Sequence, residues 1–289
     1  MANTLITQQI GPVCSQALGL LHTQAILPNL LRRDCAVSGS LAVGDTVNIR
    51  KHASLTVNTF NRANGITLQD VVESTVPVKI DTVYDVSVAL TSEQITLDLT
   101  NFGDQITLPA TIAIAEAMED RCVNLLESAT GAVHDVATAT PVKSIIDAVA
   151  VLNQNKVPLG DRHLVVGTSL AALLKGNENL LRVDASGSPA ALRDATIGRL
   201  AGATVYENPY VAADKGYLFS GNDAAVFISR AMDTMGTTQA SSQTFEGVAL
   251  RTVLDYDISK KQTVASFDTL VGAKILDEKR IVKLKIATP

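Results

Sequence analysis

Apolar and polar residues follow two rhythms along this chain. From Val47 the chain alternates, with Ile49, Ala53, Leu55 and Val57 on one side. It alternates again on the way back through Val76, Val78, Ile80, Tyr84, Val86, Val88 and Leu90. A period of two marks strands with one buried face. Between the runs lies NRANGITLQDVVES, whose Asn64-Gly65 pair is a turn signal. The pattern predicts a hairpin with strands of about 15 residues, ~50 Å long. A two-stranded ribbon is marginal in water, so this one needs a covering partner. Pro77 inside the return strand requires one edge of it to be unpaired.

The rhythm then changes to that of a helix. A short alternation of Ile95, Leu97 and Leu99 leads into DQITLPATIAIAEAMEDRCVNLLESATG, Asp104 to Gly131. Ile112, Ala115, Met118, Cys122, Leu125 and Ala129 share one face, and Glu116, Glu119, Asp120, Asn124 and Glu127 the other. Thr107 is placed as N-cap, Pro109 in the first turn and Gly131 as the stop. About 20 residues give a rod of ~30 Å. Its last turn has no cation and carries Glu127, unfavourable for the helix dipole, so packing must hold it.

Around these two features the chain reads as follows. Ile10, Val13, Ala17, Leu20 and Leu21 form a helical stripe, followed by Leu27, Leu30 and Leu31 and closed by Arg32-Arg33-Asp34. HDVATATP after the long helix reads as a loop, and Pro141 opens a second helix with Val142, Ile145, Ile146, Val149 and Leu152. His163 to Val166 is a strand, Leu170 to Lys175 a short helix, and VDASGSPAALRD a flexible section. Ala203 to Glu207 and Tyr217 to Ser220 are strands, with an Asn208-Pro209 turn between. Alternation returns at Val248, Leu250, Thr252, Leu254, Tyr256 and Ile258, and at Val282, Leu284 and Ile286. These last strands are expected to pair beside the long helix. No fixed-period repeat or linker divides the 289 residues.

Composition narrows the function. Charged residues are only 18% and hydrophobic ones 46%, which favours extensive burial, including burial between subunits. A net charge of −5 argues against a nucleic-acid-binding domain, whose footprint is basic. Cys14, Cys35 and Cys122 have no metal-like spacing and read as reduced thiols. The segment MANTLITQQIG lacks the features of an export signal, and no run approaches a membrane span. His22, His52, His134 and His163 are scattered, so no metal or cofactor is expected. GTSLA at Gly167–Ala171 follows a strand and precedes a helix, as a nucleophile elbow does, with Ser169 as nucleophile. The elbow wants glycine where Ala171 stands, and capping by Thr168 or Ser169 is the more ordinary reading. Asp161-Arg162 reads as a local ion pair, or else as a contact across subunits.

The order and spacing of several stretches carry a resemblance: LITQQI, NLLRRDC, GDTVNIRK, the long helix, GDRHLVVGTSLAALL, IGRLAGATVYENPYV and DTLVGAKILDEKRIVKL. The chain resembles the major capsid proteins of tailed bacteriophages with the Hong Kong 97-type fold, and looks closest to the podovirus-type coat-protein branch. The resemblance implies an α+β fold with residues 1–43 as an N-terminal arm and 44–100 as an extended β-hairpin loop. It further implies 101–140 as spine helix and peripheral domain, 141–225 as axial domain and 226–289 as peripheral-domain strands. No separate inserted domain is seen. Pentamers and hexamers would close an icosahedral shell around double-stranded DNA, with a scaffolding protein, a portal and a possible decoration protein as partners. Assembly would occur in the host cytoplasm, the product being the virion. One subunit's loop would lie over its neighbour's spine helix, which makes Arg50, Lys51, Asn64, Gly65, Glu116, Glu119, Asp161 and Arg162 the candidate interface residues. Lys51 is by residue type alone a candidate for covalent cross-linking. An encapsulin-like compartment shares the expected fold and is the alternative; a serine hydrolase using Ser169 is the less favoured one.

Overall fold

A computed structural model describes residues 14–19, 21, 25–33, 46–51, 55–60, 62, 65–66, 68–91, 103–176, 198–234, 239–245 and 248–287. The expected alternation at Ile95, Leu97 and Leu99 and the section VDASGSPAALRD lie outside these residues, as do Ile10, Val13 and Leu20.

Three sheets and one long helix make up the α+β architecture. Strands β1 (Thr46–Lys51) and β2 (Ser74–Lys79) pair antiparallel, from Thr46↔Lys79 to Lys51↔Ser74. Strand β3 (Thr82–Thr91) belongs to a second sheet. The run from Val76 to Leu90 is therefore two strands, and the hairpin ladder has six pairs where the pattern predicts about 15. The break at Ile80-Asp81 has a packing cause. Gly272 of the second sheet lies against it so closely that a Cβ there would stand 2.6 Å from the Lys79 carbonyl. β2 is an edge strand, as Pro77 requires.

Among the described residues a helical stretch at 14–19 is followed by the helices α1 (Leu27–Leu30), α2 (Leu108–Glu127), α3 (Pro141–Gln154) and α4 (Thr168–Lys175). Strands β4 (Ala132–Val136), β5 (Arg162–Val166), β6 (Arg199–Leu200), β7 (Ala203–Glu207), β8 (Lys215–Ser220) and β13 (Ile281–Ile286) form a mixed sheet in the order β4-β13-β8-β5-β7-β6. Strands β9 (Ala225–Arg230), β10 (Ala240–Phe245), β11 (Val248–Asp257) and β12 (Gln262–Ile275) join β3 in an antiparallel sheet. β12 is its spine: β3 lies along one edge, and β11 and then β9 along the other. β4 occupies part of the stretch that reads as a loop in sequence. It pairs parallel to β13, a partner some 150 residues away that no local pattern reveals.

The mixed sheet is covered on both faces. Leu164, Val166 and Leu218 point to α3 and α4, packing with Ile145, Leu152, Leu170 and Leu174. Val165, Tyr217 and Phe219 point the other way, into a core shared with α2, Phe227, Leu250 and Phe267. Strand alternation thus divides one strand between two cores. A third core of Val47, Ile49, Val78, Ile80, Val226 and Leu270 roots the β1–β2 ribbon on the antiparallel sheet.

The long helix buries the expected face at Ala115, Met118, Cys122 and Ala129, and the buried stripe is wider than the spacing predicts. Ile114, Ala115, Met118, Cys122 and Leu126 are buried on it, whereas Leu125 and Ile112 are only partly so. Thr107 does not cap it. It lies in a π-helical turn, Gly103–Thr107, that runs into α2, and its side chain caps nothing. Its carbonyl accepts the Thr111 hydroxyl. The helix ends at Glu127, with the Ser128 hydroxyl donating to Leu125 O at 2.7 Å. The missing cations come from the mixed sheet: Lys215 donates to the Glu127 carboxylate at 2.6 Å and Lys283 to its carbonyl at 3.1 Å. Both favour the negative end of the dipole. Gly131 has a different task from stopping the helix. A Cβ there would stand 2.4 Å from Ile281 O, so only glycine lets the backbone pass.

Candidate assembly surface

Beyond the last rung of the ribbon the chain runs out into solvent. Val57 is 100% exposed, Leu68 87%, Val72 77% and Ile66 75%. Leu55, Phe60 and Val71 are also exposed. Scattered single apolar residues are ordinary on a protein surface, but seven exposed ones within some 18 positions are an unusual concentration. At the tip Gly65 has φ +73, the left-handed region that a tight turn asks of glycine. Asn64 lies outside the described residues. Gln69 joins the two limbs, its carboxamide bonding three atoms of Thr56.

The ribbon's root is polar. Arg50 pairs with Glu73 at 3.8 Å, both well exposed, a contact of little energetic worth by itself. Lys51 beside it is exposed. A cleft of about 150 Å³ opens here, lined by Arg32, Arg50, Lys51 and Arg280 with Asp223 and Asp277, over apolar walls from Ile49, Val76 and Leu276. Arg280 is committed to Asp223 at 2.8 Å and Asp277 at 3.3 Å.

The other candidates lie on the body of the subunit and differ sharply in environment. Glu116 is exposed on α2 and accepts the Tyr210 hydroxyl at 3.0 Å. Glu119 corrects the expectation of a polar-face residue: it is 1% exposed. At ~100° per residue it stands roughly 20° around the helix from Leu126, at the edge of the buried stripe. One carboxylate oxygen accepts the backbone N–H groups of Ile26 and Leu27, the latter at 2.8 Å. The other accepts Asn208 Nδ2 at 2.7 Å. Asn208 follows β7, and its own Oδ1 accepts Tyr210 N at 2.9 Å. A single side chain therefore clasps the N-terminal segment, the long helix and the mixed sheet. Burial pushes its carboxyl up, and the three donors pull only partly against that. Glu119 has no surface to offer a neighbour in this conformation. A signal for this existed in the sequence: Glu119 falls between Ala115 and Cys122 at helical spacing.

Asp161 and Arg162 do not pair with each other. Arg162 is 2% exposed and donates to Pro158 O at 2.9 Å and Val157 O at 2.6 Å, sealing the turn after α3. Asp161 points elsewhere, to His163 Nε2 at 3.0 Å and Asn222 N at 3.0 Å. The local ion-pair reading is corrected, because successive residues entering a strand face opposite ways. Within one subunit no ion pair among the described residues joins Arg50 or Lys51 to Glu116 or Glu119. Ser169 is exposed in the first turn of α4 and has no hydrogen-bonded histidine among the described residues. Gly167 occupies the cap position, without a side-chain cap. Among the described residues no group of three His, Cys, Asp or Glu side chains could hold a metal, and Cys14 and Cys122 are free and buried.

An extended ribbon, a long helix packed on an antiparallel sheet, and a second mixed sheet beside it define the Hong Kong 97-type fold. Solved structures bear this out. That of Mycobacterium phage Che8 superposes with a TM-score of 0.67 at 19% identity, covering 90% of each chain. The capsid structure of the cyanophage P-SCSP1u gives 0.68 at 11% identity, over 92% of this chain and 89% of that one. A virus-like particle from Pyrococcus furiosus gives 0.55 at 13% identity, over 95% and 98%. At these identities the likeness is one of fold. No curated protein matches the sequence. Residues 73–284, however, match the family described as phage capsid protein. The chain belongs to the phage capsid protein family, and its role is to build the capsid shell.

Proposed function

We propose that copies of this chain assemble as pentamers and hexamers into an icosahedral shell around double-stranded DNA, with the loop of one subunit lying over the long helix of the next. The observation that carries this reading is the apolar loop itself. Val57, Leu68 and Val72 stand in water within the subunit, at a cost that a neighbour's surface would remove. In this reading residues 44–100 are the extended loop and 1–43 the arm. The segment 101–140 holds the spine helix, 141–225 is the axial domain, and 226–289 contributes the peripheral strands. The net charge of −5 suits a container that encloses DNA without sequence-specific binding. A scaffolding protein, a portal and a possible decoration protein complete the partner set, with assembly in the host cytoplasm. Arg50, Lys51, Gly65, Glu116 and Asp161 are the exposed interface residues of this arrangement.

Sedimentation of the expressed protein, alone and with scaffold, tests the reading. Particles of megadalton size are expected from the full chain, and only small species from a chain lacking residues 57–72. Particles of unchanged size and yield from the deleted chain would overturn the role given to the loop.

A further inference from the structure

We infer that Gln69 is a positioning residue for shell assembly: its carboxamide stands in for a β-bridge and holds the two limbs of the loop as one blade before a neighbour is met. The inference rests on the reading of the loop as the surface that docks on a second copy of this chain. The backbone ladder of the ribbon stops at Lys51↔Ser74. The next rung is made by a side chain. Gln69 Oε1 accepts Thr56 N and the Thr56 hydroxyl, both at 3.1 Å, and Gln69 Nε2 donates to Thr56 O at 2.5 Å. Accepting from a residue's N–H while donating to its carbonyl is what a partner residue does in an antiparallel pair. A primary amide is the uncharged side-chain group that offers both functions in that geometry, and glutamine has the longer reach.

The position of this rung gives it a function. Thr56 is flanked by Leu55 and Val57, and Gln69 follows Leu68, so the rung ties together the limbs that bear the most exposed apolar side chains. It links the limbs beyond the point where the root's backbone ladder ends. A loop that is competent only part of the time binds in proportion to that fraction. Ordering it in advance removes the entropic cost from the docking step. Gln69 makes these bonds in exposed surroundings and touches no core, so its loss is expected to leave the fold intact.

The test uses the full chain, with assembly followed by light scattering and amide exchange followed on unassembled subunits. Gln69→Ala removes the rung, and Gln69→Glu keeps the acceptor but loses the donor to Thr56 O. Gln69→Ala is expected to slow assembly about tenfold, the population shift that the loss of its hydrogen bonds to Thr56 produces, and Gln69→Glu, which loses one of them, by less. Gln69→Ala should expose the Thr56 amide to exchange without moving the melting temperature, whereas Gln69→Glu, which keeps the acceptor, should leave that amide protected. Thr56→Val keeps both backbone bonds and is expected to assemble at the wild-type rate. Val57→Ser and Leu68→Ser test the underlying reading. If these slow assembly while Gln69→Ala does not, Gln69 has no positioning role and the inference falls. If they also leave assembly unchanged, the reading of the loop as the docking surface fails with it. A Thr56 amide that exchanges equally fast in wild type and Gln69→Ala would likewise overturn the inference.

Discussion

Glu119 shows how much one residue can bind together. Its carboxylate meets three donors from two elements and no ion-paired cation among the described residues, at 1% exposure. Glu119→Ala would leave those donors without an acceptor, at roughly 1–3 kcal/mol for each one left buried. A loss of about 3 kcal/mol or more is expected in urea unfolding, with faster amide exchange at Ile26 and Leu27. Glu119 and Glu127 should also move stability with pH in opposite directions. Burial raises the Glu119 carboxyl, so the folded state holds that proton more tightly than the unfolded one. Its ionisation costs stability as pH rises through the folded value, and acid restores it. Glu127 is pulled up by burial, but hydrogen bonds from Lys215 and Tyr217 and the charges of Lys215 and Lys283 prevail and hold it low. Its contribution is complete above the unfolded value and is lost as pH falls through the folded one. Relative to wild type, Glu127→Gln should therefore be less stable at neutral pH and should converge with it in acid. Glu119→Gln, which mimics the protonated acid, should show the reverse trend, losing stability relative to wild type as pH falls because wild type then gains it. Urea midpoints from pH 4 to 8 check both signs.

At the scale of elements, the strands and helices with a strict local rhythm are legible in the sequence, and those defined by distant partners are not. α3 begins at Pro141 as its spacing says, and β7 spans Ala203–Glu207 as read. β4, β9 and β10 are not found this way, because a few residues paired with strands far along the chain carry no periodicity of their own. The hairpin's length was over-read for a related reason. Alternation continues through Ile80 and Tyr84, but the backbone changes partner between them. The site was partly legible: its loop and its root cations stood out, whereas the burial of Glu119 and Arg162 depends on elements that only the fold brings together. The face of α2 is legible at Ala115, Met118 and Cys122, but the spacing picks Leu125 where Leu126 is the buried leucine. Leu126, fully buried, is therefore the residue whose truncation should open a cavity. Leu126→Ala is expected to cost about 2–5 kcal/mol, and Leu125→Ala clearly less because its side chain is only partly buried. Equal losses from the two in thermal or urea unfolding would mean the helix is turned otherwise.

At the scale of the molecule, two surfaces of the subunit make complementary offers. The ribbon's root presents Arg50 and Lys51, and the outer face of α2 presents Glu116 and Asp120, one turn apart and both exposed. Within the chain these sets do not meet, and opposite charges on two surfaces of one protein steer copies together in a defined register. Glu119 is excluded from this surface by burial, so the acidic partner in a shell is assigned to Glu116. Glu116→Arg gives up one exposed bond to Tyr210, and the melting temperature should hardly change. Assembly should slow, because the loop of the next subunit would bring cations against a cation. Lys51→Glu in the same chain restores the opposite signs and should recover part of the lost rate. The deficit of the single variant should also shrink as salt is added, since the Debye length falls to ~3 Å at 1 M. A deficit that neither salt nor Lys51→Glu relieves would place the neighbour's loop away from α2.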